Sequence, residues 1–288
     1  MTEPNEFKYG YYCVAFLDIL GQRRKLRQMA CPGRDEQTRR LMSETAAYVL
    51  HLRQRFQQTF ERYAELSPIL DHVPEDARKQ IAAAKSSIKY RGFSDSFIVS
   101  VKCIGDKEQF APMTGVFGCI SACCIHHLEA LAYKRPLRGG IEVHCGVDLT
   151  KEGDEVYGPV LERAHFLESQ VADYPRIVVG DGLPQYLDVV EREAPATQLG
   201  NIARNLASMC KRYLTTDGDG FQMLDFIGEQ AAKLGTRELR RTIFKPAAEY
   251  IAEQYQYGID TDDYKHRSRY ARLRSYFESR TRTWTSSF

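Results

Sequence analysis

Residues 11–17 read YYCVAFL, a short aromatic and apolar run with the pattern of a buried strand, and the run ends on Asp18 with a turn at Gly21. From 35 to 66 the apolar positions Leu41, Val49, Leu52, Phe56 and Phe60 recur at helical spacing. Residues 68–85 read as a connection with a short helix after Pro74. Residues 87–91 and 96–101 predict two strands joined by the tight turn GFSD, a hairpin. Residues 110–133 predict a second helix, apolar almost all round and therefore buried. A strand at 140–147 follows, then an amphipathic helix at 158–171 that opens with Gly-Pro. The pattern returns to strand at 176–179.

This order, β–α–β–β–α–β, predicts an α+β fold with a ferredoxin-like core, its sheet on one side and its helices on the other. Beyond it, helices are expected at 183–193 and 199–210. The segment RYLTT–DGDG–FQMLDFI predicts a hairpin with an Asp-Gly turn. The residues from 228 onward read as a helical, basic C-terminal extension. The expected division is a core domain over 7–227 and the extension over 228–288.

Charge and composition narrow the function classes. The 288 residues carry a formal net charge of only +2, which disfavours a broad nucleic-acid binder, because such binding needs a concentrated basic face. The positive charge concentrates in Lys265, Arg267, Arg269, Arg272, Arg274, Arg280 and Arg282, against Glu278 alone. No apolar run approaches the roughly 20 residues of a membrane span, and residues 1–8 lack the apolar stretch of a signal peptide. Eight scattered cysteines without regular spacing suggest reduced thiols, and the expected location is cytoplasmic.

Two carboxylates stand at unusual places: Asp18 where a hydrophobic strand ends, and Asp95 in the turn of the next hairpin. In a β–α–β–β core these strands are neighbours, so the carboxylates converge at one edge. Brought close they repel, unless cations lie between them. Paired Mg²⁺ or Mn²⁺ ions would relieve the repulsion and clamp an attacking and a leaving oxygen. Read singly, Asp18 is a helix cap and Asp95 a turn former.

FLDILG, then FSDS, RGGIEVHCG and VYGPVLERAHFLES, in that order, resemble the class III nucleotidyl cyclases, and within them the bacterial Pycsar pyrimidine cyclases of anti-phage defence. The resemblance spans about residues 7–226. It implies that Asp18, Asp95 and the Ile19 carbonyl hold two Mn²⁺ or Mg²⁺ ions. It also implies that Phe16, Gly21 and the backbone of 19–23 lie against the substrate, and that a head-to-tail homodimer builds composite sites. The implied reaction is cyclisation of UTP to cyclic UMP and pyrophosphate, with CTP as the alternative substrate. By position relative to the family motifs, Tyr90, Arg91 and Glu155 would meet the base. The plain alternatives are strand packing for Tyr90 and a surface ion pair for Arg91.

One family feature is absent. The Asn and Arg of the family's helix motif fall on Glu162 and Phe166, and an aromatic ring cannot neutralise a phosphoryl group. Arg138, Arg163 and Arg212 are the candidate replacements. This departure also supports a catalytically inactive, nucleotide-binding or dimerising module as the second reading; a different two-metal palm enzyme is a third. Cys119, Cys123, Cys124, His126 and His127 read as core residues of an apolar helix rather than as zinc ligands.

Overall fold

The computed structural model describes residues 9–21, 35–65, 75, 88–93, 95–103, 113–149, 155–234 and 240–285. Its strands are β1 (Tyr9–Ile19), β2 (Ile88–Phe93), β3 (Ser96–Lys102), β4 (Leu137–Asp148), β5 (Val156–Tyr157), β6 (Ile177–Val179), β7 (Leu214–Thr216) and β8 (Gln222–Leu224). They join in one mixed sheet of order β2-β3-β1-β4-β6-β8-β7, with β5 paired to the far end of β4. Every pairing is antiparallel except β4 with β6. The expected β–α–β–β–α–β order is present, and the protein is an α+β fold.

Helices α1 (Glu36–Glu65) and α2 (Thr114–Ala132) pack on one face of the sheet. Leu52, Phe56, Phe60 and Ala64 recur every fourth residue and bury the inner stripe of α1 against α2. Along β1 the side chains alternate: Cys13, Ala15, Leu17 and Ile19 enter this main core, while Tyr12, Val14 and Phe16 face the other way. That second face is covered by α3 (Pro159–Phe166), through Val160 and Ala164. The expectation of helices on one side only is therefore corrected. Central strands this apolar on both faces need cover on both.

Two strands exceed their expected lengths. β1 runs on through Asp18 and Ile19, which still pair with β3 and β4, so Asp18 lies inside the strand rather than beyond it. β4 begins at Leu137, three residues earlier than the apolar run suggested, and so includes Arg138. The helix expected at 158–171 splits into α3 and a π-helical turn, Leu167–Val171. The connection expected at 68–85 lies outside the described residues, apart from Glu75.

Helix α2 is the one helix, among the described residues, long and apolar enough to cross a membrane, and a longer apolar stretch than the sequence suggested. It is buried inside the protein from Thr114 to Leu131 on nearly every side. His127 illustrates that setting: burial pushes its imidazole down to about 3, so it stays neutral.

Helices α4 (Gly182–Glu193) and α5 (Gln198–Lys211) lie between β6 and β7, and α6 (Glu229–Leu234), α7 (Lys245–Asp260) and α8 (Tyr264–Thr285) follow β8. The C-terminal helices are part of the main core. Ile251, Leu273, Phe277 and Trp284 are buried in it, and the Trp284 indole donates to the Ile227 carbonyl at 2.7 Å. The basic residues of α8 are also engaged. Arg280 pairs with Asp225 at 3.1 Å, and Arg272 with Asp173 and Asp219 at 3.0 and 2.9 Å.

Arg272 shares its acids with Arg176, a fully buried residue that pairs with Asp217 and Asp219 in the Asp-Gly-Asp-Gly turn between β7 and β8. The two guanidinium groups also flank the Tyr174 ring, at 4.8 and 4.7 Å from its centroid. Burial alone would raise the Asp219 carboxyl. The hydrogen bonds from Arg176 and Arg272 outweigh it and hold the acid far below the usual carboxylate range.

Arg176→Met is expected to cost about 1.5–3 kcal/mol in urea denaturation, since it removes charge-assisted hydrogen bonds to Asp217 and Asp219 that Arg272 only partly replaces. Arg272→Met, on a more exposed partner, should cost about 1 kcal/mol; equal losses would contradict this ranking. The depressed Asp219 acid contributes stability that is complete above its unfolded value of about 4 and fades as pH falls below it. Asp219→Asn should therefore flatten the urea-midpoint profile between about pH 5 and pH 2.

Candidate active site

The centre of the site is the C-terminal end of β1. Asp18 stands opposite Ser96 on β3 and Arg138 on β4 in the strand register. The Ser96 hydroxyl donates to Asp18 Oδ1 at 2.8 Å. Arg138 Nε approaches Asp18 Oδ2 at 3.6 Å and Glu168 Oε1 at 2.6 Å. Glu168, buried in the π-helical turn after α3, thus joins a row that crosses three strands and one helix.

Asp95 lies in the tight turn between Phe93 and Ser96, and its carbonyl accepts from the Ile19 N–H at 3.4 Å. Register and turn therefore bring Asp18, Ile19 and Asp95 to one strand end. Asp18 keeps 13% of its side-chain surface exposed, so a ligand can reach it. Gly21 follows with φ of +87°, a left-handed turn that suits glycine. Of the expected phosphate cradle at 19–23, residues 22 and 23 lie outside the described residues.

Phe16 lies two residues before Asp18 on the same face, its ring 4.9 Å from that of His165 on α3. Ile98 and Arg91 complete this row across β3 and β2. Arg91 forms an ion pair with Glu155, just ahead of β5. The two residues expected to read a base thus meet on the open face, each partly exposed. Tyr90 does not join them. It packs into the opposite face against Phe56, with ring centroids 6.0 Å apart, and burial pushes its hydroxyl well above the usual phenol value. Strand alternation turns adjacent residues to opposite faces, so Tyr90 and Arg91 cannot both line one site.

The three candidate arginines are separated. Arg163 on α3 is bound to buried Glu142 at 3.2 Å. Arg212 is beside Asp225, Glu229 and Arg280 around a cavity of about 520 Å³ near the C-terminal helices. Only Arg138 shares a strand end with Asp18. Phe166, at the family's arginine position, is 51% exposed. Spacing along the chain assigns no role to Ser96 or Glu168: Ser96 stands in the FSDS motif, but nothing ties Glu168 to Asp18.

Two carboxylates and a carbonyl are all-oxygen donors, the chemistry that Mg²⁺ and Mn²⁺ prefer. Among the described residues no three His, Cys, Asp or Glu side chains gather into a protein-only cage. A Mg²⁺ site shared with substrate phosphates and water needs none, so the donor set fits. No family model matches the chain, and no curated protein matches it either.

The approach of α3 to the sheet depends on Gly140. A Cβ there would meet the Ala164 carbonyl at 2.3 Å and Leu167 Cβ at 2.5 Å. Gly140→Ala must push away the turn that carries Glu168. The expected cost is about 1–3 kcal/mol in stability, measured by denaturant unfolding; an unchanged midpoint would show that the turn is not seated as described.

Proposed function

We propose that this chain is a class III-type pyrimidine nucleotide cyclase that converts UTP to cyclic UMP and pyrophosphate, as a second-messenger synthase in anti-phage defence in the cytoplasm. The observation that carries the reading is the meeting of Asp18 and Asp95 at one strand end, within a ferredoxin-like β–α–β–β–α–β arrangement. The order of the four sequence motifs supports it independently.

In the reaction the ribose 3′-oxygen bonds to the α-phosphorus, and the bond from that phosphorus to the bridging oxygen of pyrophosphate breaks. Two divalent ions, when bound, lower the pKa of the hydroxyl and neutralise charge on the phosphates. The chain's own work is placement. Asp18 and Asp95 supply the anionic seat, with Asp18 oriented by the Ser96 hydroxyl. Phe16 and Ile98 give the apolar floor beside it. Arg91 donates to uracil O4, and Glu155 accepts from N3–H; cytosine presents the reverse pattern at these two positions. Homodimerisation in the head-to-tail manner would cover the open face.

A second reading, a nucleotide-binding module without turnover, is favoured by one observation: Arg138 already pairs with Asp18. Turnover separates the two. Purified protein incubated with all four nucleoside triphosphates and Mn²⁺ should yield mainly cyclic UMP by mass spectrometry. Asp18→Ala and Asp95→Ala should yield none while keeping the wild-type unfolding midpoint to within about 1 kcal/mol. Absence of any cyclic product from wild type would overturn the enzyme reading, and dominant cyclic AMP or GMP the pyrimidine reading. Arg91→Ala should reduce the preference for UTP over CTP by about tenfold. An unchanged ratio would remove Arg91 from base recognition.

A further inference from the structure

We infer that Arg138, anchored by Glu168, is the arginine that contacts the reacting phosphates; the assignment rests on the cyclase reading. A triphosphate at the end of β1 brings more negative charge than two carboxylate-bound ions neutralise at the reacting phosphorus, and a nearby guanidinium is suited to the remainder. Arg53 also reaches this strand end, but from the α1 side of the sheet, where its guanidinium donates to the Ser96 carbonyl at 3.3 Å; among the described residues Arg138 is the arginine paired with Asp18 itself. It stands directly opposite Asp18 in the register, with 21% of its side chain exposed.

The charge balance explains how one arginine serves two states. Without ligand, Arg138 lies between two carboxylates, Asp18 at 3.6 Å and Glu168 at 2.6 Å. A divalent ion held by Asp18 would repel the guanidinium and offset the attraction of that carboxylate. Glu168 is 4% exposed and the closer partner, so it keeps the arginine at the strand end. The nearest approach to each carboxylate is through Nε, and a planar guanidinium offers its two terminal nitrogens as a fork that suits phosphate oxygens. Glu168 is then a positioning residue.

The competitors are placed elsewhere. Arg163 is committed to Glu142, which lies four residues farther along β4, about 13 Å from Arg138 at strand rise. Arg212 lines a cavity with Asp225, Glu229 and Lys233.

The test uses inorganic tripolyphosphate with Ca²⁺, titrated calorimetrically into the full chain, alongside UTP turnover with Mn²⁺. Removing Arg138 alone would take a close cationic partner from a buried carboxylate, so the main variant is the pair Arg138→Met with Glu168→Gln; Arg138→Lys keeps the charge. The pair should weaken tripolyphosphate binding at least about tenfold. It should also lower kcat about 10²–10³-fold. Arg138→Lys should recover part of both. Arg163→Ala and Arg212→Ala should stay within about twofold of wild type in binding. Wild-type binding in the paired variant, or no tripolyphosphate binding by wild type, overturns the assignment. Arg138-dependent binding in a protein that makes no cyclic nucleotide would refute the cyclase reading and leave Arg138 as the phosphate contact.

Discussion

The site depends on the double pairing of β1. From Tyr12 to Asp18 every residue of the strand is matched on both sides, by β3 and by β4. A strand held this way cannot slip by one residue without exchanging its two faces, which would turn Cys13, Ala15 and Leu17 out of the main core. The apolar alternation therefore fixes where Asp18 stands. A carboxylate at the end of such a strand would be costly without partners. The Ser96 hydroxyl and Arg138 offset that cost, and the same register delivers both.

The fold was legible in the sequence where periodicity is strong. The apolar run of β1, the four-residue stripe of α1 and the Asp-Gly turn between β7 and β8 each carry a local signal that tertiary packing did not override. The strand ends were less legible. Polar residues such as Asp18 and Arg138 carry no apolar signal, yet remain paired because their neighbours are. The second helical layer was missed for a related reason. That α3 covers the far face follows from pairing order and close approach at Gly140, not from its own amphipathic pattern.

Of the candidate site, Asp18 and Asp95 could be picked out because one closes an apolar run and the other sits in a hairpin turn. Tyr90 was misread as a partner of Arg91, because a resemblance counted along the chain does not say which face of a strand a residue occupies. Glu168 was not legible at all, since only the π-helical turn brings it to Arg138. The C-terminal segment was expected as a separate basic extension, but its Arg272 and Arg280 are paired with Asp173, Asp219 and Asp225. Arg176 extends that link inward: besides Asp217 and Asp219, it donates to the Val171 carbonyl at 2.9 Å, at the end of the turn that carries Glu168. The C-terminal helices thus brace the segment that positions Arg138.

The most direct measurement of the central claim is a crystal structure with Mn²⁺ and a UTP analogue that lacks the 3′-hydroxyl, recorded at a wavelength where manganese scatters anomalously. The account predicts two anomalous peaks about 3.5–4 Å apart, both within bonding distance of Asp18 and Asp95 oxygens. No manganese at Asp18, with Arg138 still paired to it and nucleotide bound elsewhere, would contradict the account.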